Sequence, residues 1–335
     1  MKKMKRNLSL VLVISLLLIV AACGGSQSSG DGADKSYTFK LAHITPTSHM
    51  WHIASEKFAE ELESKSDGRM KVEIYPASQL GTEADMVQQI EAGSIDFGLI
   101  TAAYMSSRSP SFAAWFMPYA FKDINAAHEA RTTDVAKKIL GTLDEQGLIG
   151  LDYLFAGQRV MLFKDKEVLT PEDMSGLKLR VTPSPPMQDF YRSAGASPEG
   201  LPLPEVYAAV QTGVIDGMDM DLDAAITNKY FEVVDYGAVT NHMVWPAVVT
   251  VNKSTFEGMP EADQKIIREA LAVATDFAVS TRSAQEEEFR TTLSDNGMKI
   301  YDIPASVFAD QIAAFDEKYK ELDPLIKEFI ETFRK

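Results

Sequence analysis

Two arginines have sequence surroundings suited to holding an anion. Arg180 lies inside the short apolar run 177–181, immediately before a proline-rich segment, and Arg159 begins a second strand-like run. If the first run is a strand, alternation places Lys178 and Arg180 on one face and the aliphatic residues on the other. A guanidinium at a strand end in an α/β lobe faces the crevice where ligands bind, and its planar fork suits a carboxylate. A solvated or salt-bridged arginine is the competing interpretation, because most arginines are exposed.

Acidic and histidine residues suggest metal sites, but both patterns are incomplete. Four aspartates between residues 216 and 223 resemble a calcium loop that lacks its turn glycine and its closing glutamate. A strand end facing a cleft explains these aspartates equally well, and Asp219 could accept a hydrogen bond from a ligand there. His49 and His52 are three residues apart without a third ligand, which favours a first-turn pair near a cleft mouth. The sequence therefore predicts no metal and no cofactor.

The search for catalytic motifs is negative. The sequence has no G-x-S-x-G, no P-loop, no G-x-G-x-x-G after a strand and no H-E-x-x-H. Its single cysteine is Cys23, outside the predicted body, which excludes thiol catalysis. A net charge of -15 in 335 residues argues against a nucleic-acid groove, which needs basic patches.

The N-terminus has the features of a secretory signal. A basic start precedes the uncharged run 8–22, which is shorter than the roughly 20 residues of a membrane-spanning helix. Its end, Val-Ala-Ala-Cys, resembles a lipoprotein box in which the cysteine is acylated. We expect a signal peptide over 1–22 and a flexible tether over 23–36 that begins at a lipidated Cys23. The alternatives are an uncleaved membrane anchor and a chance cysteine at an ordinary cleavage site.

Apolar spacing in the body predicts an α/β fold. The first half shows alternating strands and helices, and a Thr82–Asp85 capping box opens one of the helices. The two stretches QIEAGSID (89–96) and AVQTGVID (209–216) form a weak internal echo, which either reflects two lobes of similar design or arises by chance. The predicted strands cover 37–42, 70–74, 95–100, 147–155, 160–163, 177–181 and 214–217, and predicted helices include 261–294 and 308–333, the latter interrupted at Pro324.

Four stretches of the body have an order and spacing that are specific in combination. They are YPASQLGTEADMVQQIEAGSIDFGLI, EDMSGLKLRVTPSP, GASPEGLPLPEVYAAVQTGVIDGMD and TNHMVWP. With them, the chain from about Tyr37 to Glu321 resembles the substrate-binding proteins of TRAP transporters, the tripartite ATP-independent periplasmic family. The resemblance implies a two-lobed periplasmic-binding-protein-like fold with hinge strands and a long C-terminal helix spanning both lobes. We expect lobe I at 37–157 with 246–285, and lobe II at 158–245 with 286–335.

The resemblance also implies a ligand site. The arginine of the K-L-R-V strand, Arg180, would hold a ligand carboxylate, and Arg159 matches a second arginine that often helps. Met220 stands where many relatives have an asparagine, and Thr101 and Tyr104 stand where sialic-acid binders use Glu and Arg. These departures disfavour sialic acid and simple dicarboxylates. Three aromatic residues, Trp245, Tyr104 and Trp51, either line the cleft or pack in the core. The candidate ligand-binding residues are Arg180, Arg159, Met220, Asp219, Trp245, Tyr104, Glu83 and His49.

The predicted function is transport without chemistry. We expect an extracytoplasmic solute-binding lipoprotein that is anchored to the membrane, captures a small organic acid and delivers it to the integral membrane subunits of a TRAP transporter. One alternative is a secreted hydrolase on a similar scaffold, which would need a paired base and nucleophile. Another is a lipoprotein adhesin or receptor accessory with a vestigial cleft.

Overall fold

The computed structural model describes residues 35–334, so the predicted signal peptide, Cys23 and most of the predicted tether lie outside the described residues. The strands within that range are β1 (Tyr37–His43), β2 (Met70–Tyr75), β3 (Phe97–Thr101), β4 (Leu148–Phe163), β5 (Lys178–Val181), β6 (Ser197–Gly200), β7 (Gly217–Asp221), β8 (Tyr236–Val239), β9 (Val244–Asn252) and β10 (Lys299–Asp302). The α-helices are α1 (Met50–Lys65), α2 (Glu83–Glu91), α3 (Ala102–Arg108), α4 (Ile124–Ala130), α5 (Asp134–Gly141), α6 (Pro185–Ser193), α7 (Val206–Gln211), α8 (Leu222–Thr227), α9 (Lys253–Glu257), α10 (Glu261–Asp295), α11 (Ala309–Leu322) and α12 (Pro324–Phe333).

Strand β4 belongs to two sheets and joins them. In the first sheet, which we call lobe I, β2, β1 and β3 run parallel, and β9 pairs antiparallel with both β3 and β4. In the second, lobe II, the later part of β4 pairs with β7 and β8, and β5, β6 and β10 complete the sheet. The β4–β9 ladder is irregular between Phe155 and Gln158. The predicted crossing between residues 157 and 158 falls at this irregularity, and the lobe boundaries remain a prediction.

The long helix α10 contacts both lobes. It has 35 residues and therefore extends over about 52 Å at 1.5 Å per residue. Near its start Asp263 forms an ion pair with Arg69, which precedes β2, at 2.7 Å. Near its end Arg290 forms an ion pair with Asp302 of β10 at 2.6 Å. The sequence predicts helix over 261–294, either as one long helix or as two abutting ones, and the structure has a single helix.

The last two helices form a second connection between the lobes. Helix α11 packs on α6 of lobe II, where the Tyr319 hydroxyl donates to Asp189 at 2.6 Å. Helix α12 packs on α5 and on the 3-10 helix 110–116 of lobe I. The predicted interruption at Pro324 is confirmed, since Asp323 caps α12 and also accepts a hydrogen bond from Ser111 at 2.9 Å. The grouping of residues 286–335 with lobe II stays a prediction, and α12 contacts lobe I. No helix among residues 35–334 has the length and apolar character needed to cross a membrane.

The internal echo in the sequence marks the same local structure in both lobes. Each helix ends before a glycine with positive φ, Gly93 at 72° and Gly213 at 74°. The aspartate that ends each stretch then accepts a hydrogen bond at 2.8 Å from a neighbouring strand. Asp96 accepts from the Lys40 N–H in β1, and Asp216 accepts from an N–H in β5. The carboxylate extends the strand ladder by one bond and fixes where the next strand begins.

The observed strands differ from the predicted segments in two main ways. The segments 147–155 and 160–163 are one strand, β4, because the chain stays extended through Ala156 and Gly157. The strand predicted at 214–217 begins only at Gly217. The reason is that residues 214 and 215 turn back to hydrogen-bond the carbonyl of Ala209 at the end of α7.

The echo structure predicts opposite effects for three glycine-to-alanine substitutions. Gly93→Ala and Gly213→Ala should each lower the free energy of unfolding by about 1–2 kcal/mol, because alanine is strained at positive φ. The matched control is Gly141→Ala at the end of α5, where a Cβ would meet open space and φ is not positive. We expect it to be neutral or to stabilise by up to about 1 kcal/mol. Urea unfolding measures the change in unfolding free energy for all three variants. A change of the same sign in all three would contradict the assignment of strain at positive φ to Gly93 and Gly213.

Candidate functional site

A cavity lies between the lobes, between the loop after β1 and the ends of β5 and β7. It has a volume of about 20 Å³ and is lined by Ile44, Thr45, His49, Trp51, Arg159, Arg180, Thr182, Leu203, Met220, Asp221, Ala224 and Trp245. An outer cavity of about 190 Å³ shares Ile44 and Leu203 with it and is otherwise lined by Ser78, Thr82, Glu83, Ala84, Tyr104, Pro183, Pro202 and Pro204. We call the first the inner cavity and the second the outer cavity. Together they bring residues from both lobes around one space.

Arg180 is buried in the inner cavity without a carboxylate partner. Its side chain is 2% exposed, Nε donates to the Leu201 carbonyl at 2.9 Å and Nη1 lies 3.5 Å from the Asp219 carbonyl. Among residues 35–334 no carboxylate lies within ion-pairing distance of it. Burial lowers the pKa of Arg180 to about 10, with the positive charge of Arg159 adding to the effect. The guanidinium is therefore a cation whose charge is only partly compensated.

Arg159, by contrast, is held by two aspartates. The strand register places it opposite Asp221 in β7, and Asp219 lies two residues earlier on the same face. Arg159 forms an ion pair with Asp219, and its Nη1 lies 3.2 Å from Asp221 Oδ2. Its guanidinium carbon stands 3.9 Å from the ring centroid of Trp245, within cation–π range. Two carboxylates and an aromatic ring thus fix its position and balance its charge.

Asp219 is the centre of a buried hydrogen-bond network behind Arg159. Its Oδ2 accepts from the Tyr191 hydroxyl at 2.8 Å and lies 2.9 Å from His242 Nε2. His242 Nδ1 in turn lies 2.7 Å from the Thr240 hydroxyl. Burial alone would raise the pKa of the Asp219 carboxyl, but Arg159 and the donors from His242 and Tyr191 hold it below its usual value. Asp219 does not line either cavity, and its oxygens are occupied by these partners.

His49 links the two lobes beside the inner cavity. It caps α1 through Nδ1, which lies 3.1 Å from the Trp51 nitrogen and accepts from its N–H when the imidazole is neutral. Its Nε2 lies 3.7 Å from Asp221 and 3.8 Å from Asp223, both in lobe II. Burial disfavours the imidazolium, but these two carboxylates outweigh it, so the pKa of His49 is raised. The Met50 N–H also donates to Asp223 at 2.8 Å, which adds a second contact between lobes.

The same charges act on Asp221. Burial opposes ionisation, but the nearby His49, the positive charge of Arg159 and the Ala224 N–H lower the pKa of Asp221 to about 2. Asp221 also caps α8, since its Oδ1 accepts from the Ala224 N–H at 2.8 Å. It is therefore an anion that contacts a cation of each lobe.

Glu83 is the acidic group of the outer cavity. It begins α2, and its two oxygens accept from the Thr101 N–H at 2.6 Å and the Thr101 hydroxyl at 3.1 Å. Burial raises its pKa to about 7, although these donors and the charge of Arg180 oppose the shift. Tyr104 lines the same cavity and is only half-buried.

The remaining candidates are apolar or aromatic. Trp51 and Trp245 line the inner cavity and are stacked on each other with ring centroids 6.4 Å apart. Met220 lines the same cavity and belongs to the core of lobe II. These rings both line the cavity and pack in the core, so the two interpretations of the sequence apply together.

Among residues 35–334 no group of three or more metal-binding side chains is arranged around one point. His52 is not directed at His49, because its Nδ1 lies 3.1 Å from His43 Nε2. The pair at 49 and 52 is therefore a helix cap and a separate histidine contact.

Sequence reasoning missed the network residues Tyr191 and His242 and did not select Asp221. The alternation of Asp219 and Asp221 with methionines was a usable signal, because two buried acids on one strand face require a buried cation nearby. For His242 the only signal was its place in the stretch TNHMVWP.

Comparison with known proteins assigns a family to this architecture. The model of the bacterial extracellular solute-binding proteins, family 7, matches residues 41–324. A solute-binding protein of Roseobacter denitrificans is 28% identical over 315 residues, which are 94% of this chain and 96% of that protein. The C4-dicarboxylate-binding periplasmic protein of Rhodobacter capsulatus is 28% identical over 282 residues, 83% of each chain.

Solved structures agree with the family assignment. A TRAP periplasmic solute-binding protein of Anaerococcus prevotii with bound glucuronate superposes with a TM-score of 0.83 at 28% identity, covering 89% of this chain and 99% of its own. The predicted two-lobed fold is thereby confirmed, and the chain is a binding protein and not an enzyme. It belongs to family 7 of the bacterial extracellular solute-binding proteins, the periplasmic binding proteins of TRAP transporters.

Proposed function

We propose that this protein captures a small organic acid between its lobes and holds the ligand carboxylate by an ion pair with Arg180. The supporting observation is the buried Arg180 guanidinium, which reaches two backbone carbonyls and, among residues 35–334, no carboxylate. Burying an uncompensated cation is costly, and an anionic ligand removes that cost. The related proteins that bind glucuronate and C4-dicarboxylates have carboxylate ligands, which is consistent with this role.

The other candidates have supporting roles in this proposal. Asp219 and Asp221 fix Arg159 beside the carboxylate position, and Trp245 packs on its guanidinium. Met220 stands against the ligand in the inner cavity, while Glu83 and Tyr104 contact the part of the ligand that extends into the outer cavity. A neutralised Arg159 contributes hydrogen bonds and orientation rather than net charge.

Closure of the lobes is the second part of the proposal. The contacts of His49 with Asp221 and Asp223, and of the Met50 N–H with Asp223, join the lobes next to the ligand position. Closure excludes water from the inner cavity, which strengthens the Arg180–carboxylate pair. The closed protein then delivers the acid to the integral membrane subunits of the transporter.

Two matched substitutions separate the proposed roles of the arginines. Arg180→Met should abolish binding of the organic acid while leaving the ligand-free protein as stable as wild type or more stable, because it removes an uncompensated buried cation. Arg159→Met should lower the free energy of unfolding by about 3–5 kcal/mol, because it leaves Asp219 and Asp221 buried without their cation. Calorimetry with a panel of sugar acids and urea unfolding of ligand-free protein measure both quantities. If Arg180→Met is folded and binds the organic acid with unchanged affinity, the proposed ion pair with Arg180 is contradicted.

Closure through His49 predicts a pH effect on stability. The folded pKa of His49 lies above its usual value of 6.5, so its stabilising charge is fully present below that pH and disappears as pH rises through the folded pKa. His49→Asn keeps a side-chain acceptor for the α1 cap but cannot carry the charge. The difference in unfolding free energy between wild type and His49→Asn should therefore shrink as pH rises above about 6.5. A difference that is constant over this range would contradict the interlobe charge interaction.

We also propose that the mature protein is a lipoprotein anchored to the membrane through Cys23. The support is sequence alone: the Val-Ala-Ala-Cys stretch after a short apolar run, followed by a Gly- and Ser-rich tether. Expressed from its native sequence, wild type should incorporate labelled palmitate and sediment with membranes, and Cys23→Ser should do neither. Ser26→Ala in the tether is the control and should behave as wild type. Sedimentation of Cys23→Ser with membranes, as for wild type and the control, would argue for a different anchor.

A further inference from the structure

The basic residues around the proposed ligand position can balance the charge of one ligand carboxylate. The lining of the two cavities contains three basic residues: His49, Arg159 and Arg180. Arg159 is paired with two aspartates, one of which, Asp221, also lies near His49. Arg180 alone among these three has no acidic partner within residues 35–334. Only one anionic group of a ligand can therefore find an uncompensated cation here.

The outer cavity is unsuitable for a second carboxylate. Its lining has no lysine, arginine or histidine, and most of it is apolar: Ile44, Ala84, Pro183, Pro202, Leu203 and Pro204. Its acidic residue is Glu83, which is 8% exposed. A second carboxylate beside Glu83 would raise the pKa of both acids, so that one of them must take up a proton or bear the repulsion.

The hydrogen bonds of Glu83 show what it can accept. Each of its oxygens already accepts one bond from Thr101, and a carboxylate oxygen has room for a further donor. Glu83 is the first residue of α2, and the Thr101 N–H and hydroxyl hold its carboxylate at the lining of the outer cavity. When Glu83 is ionised it only accepts hydrogen bonds, so a ligand hydroxyl or N–H suits this position, whereas an acceptor-only group leaves Glu83 without a partner.

We propose that the site is selective for acids with a single carboxylate whose far end presents a neutral hydrogen-bond donor to Glu83, and that it discriminates against acids with a second carboxylate at that end. This inference rests on the proposed function, since it takes the ion pair with Arg180 as the first contact. It distinguishes this protein from its relative in Rhodobacter capsulatus, which is a C4-dicarboxylate-binding protein.

The experiment compares acids that differ only at the far end. Calorimetry at about pH 9, where Glu83 with its pKa of about 7 is ionised, measures the affinity of wild-type protein, freed of co-purified ligand, for matched pairs such as gluconate with glucarate, galactonate with galactarate, and erythronate with meso-tartrate. In the pair that contains the best ligand, the monocarboxylate should bind about 100-fold more tightly, because the second carboxylate must either bear the repulsion or protonate Glu83 about two pH units above its pKa. Glu83→Gln removes the charge and keeps the shape, so it should narrow that ratio to within about tenfold.

The outcomes separate this inference from the proposed function. If the tightest ligand is a dicarboxylate whose binding disappears in Arg180→Met, the inference is overturned and the proposed function stands. If the tightest ligand is a monocarboxylate without a far-end donor, or if Glu83→Gln leaves the ratio unchanged, the role of Glu83 is overturned. If no organic acid binds wild type, the proposed function itself fails.

Discussion

A buried cation without a counter-ion is the constraint on which the rest of the site depends. Water solvates a guanidinium well and a protein interior does not, and within residues 35–334 Arg180 reaches two backbone carbonyls and no carboxylate at ion-pairing distance. Under the proposed function, the free energy that burial costs in the ligand-free protein is recovered when a carboxylate binds. Affinity for an acid would then follow from the fold before any ligand shape is considered.

Strand register decides which arginine is left unbalanced. The antiparallel register of β4 and β7 places Arg159 opposite Asp221, on the face that also carries Asp219. The parallel register of β5 and β7 places Arg180 beside Met218, on the other face. A shift of one residue in β5 would turn Arg180 towards the aspartates and remove the uncompensated charge. The strand registers of one sheet therefore place the two aspartates beside Arg159 and leave Arg180, among the described residues, without a carboxylate at ion-pairing distance.

Local patterns in the sequence were sufficient to predict the strand that carries Arg180, but not the partners of Arg159. Alternation and the proline break predicted a strand with an arginine at its end, because both signals lie within a few residues. The pairing of Arg159 with Asp219 joins residues 60 positions apart and depends on strand order, which no local pattern contains. The strand predicted at 214–217 was misplaced for a related reason, since a turn that returns to α7 delays its start until Gly217.

Asp221 connects the ligand position to the closure of the lobes. Its carboxylate contacts Arg159 within lobe II and His49 from lobe I, so it is shared by the two functions. In the proposed opening of the lobes, His49 would leave Asp221, whose charge would then fall on Arg159 alone. Arg159 would carry more negative compensation and present a less favourable field to an anion. Under the proposed function, the closed form therefore favours the ligand carboxylate twice, through excluded water and through the altered charge beside Arg180, and the ligand in turn favours the closed form.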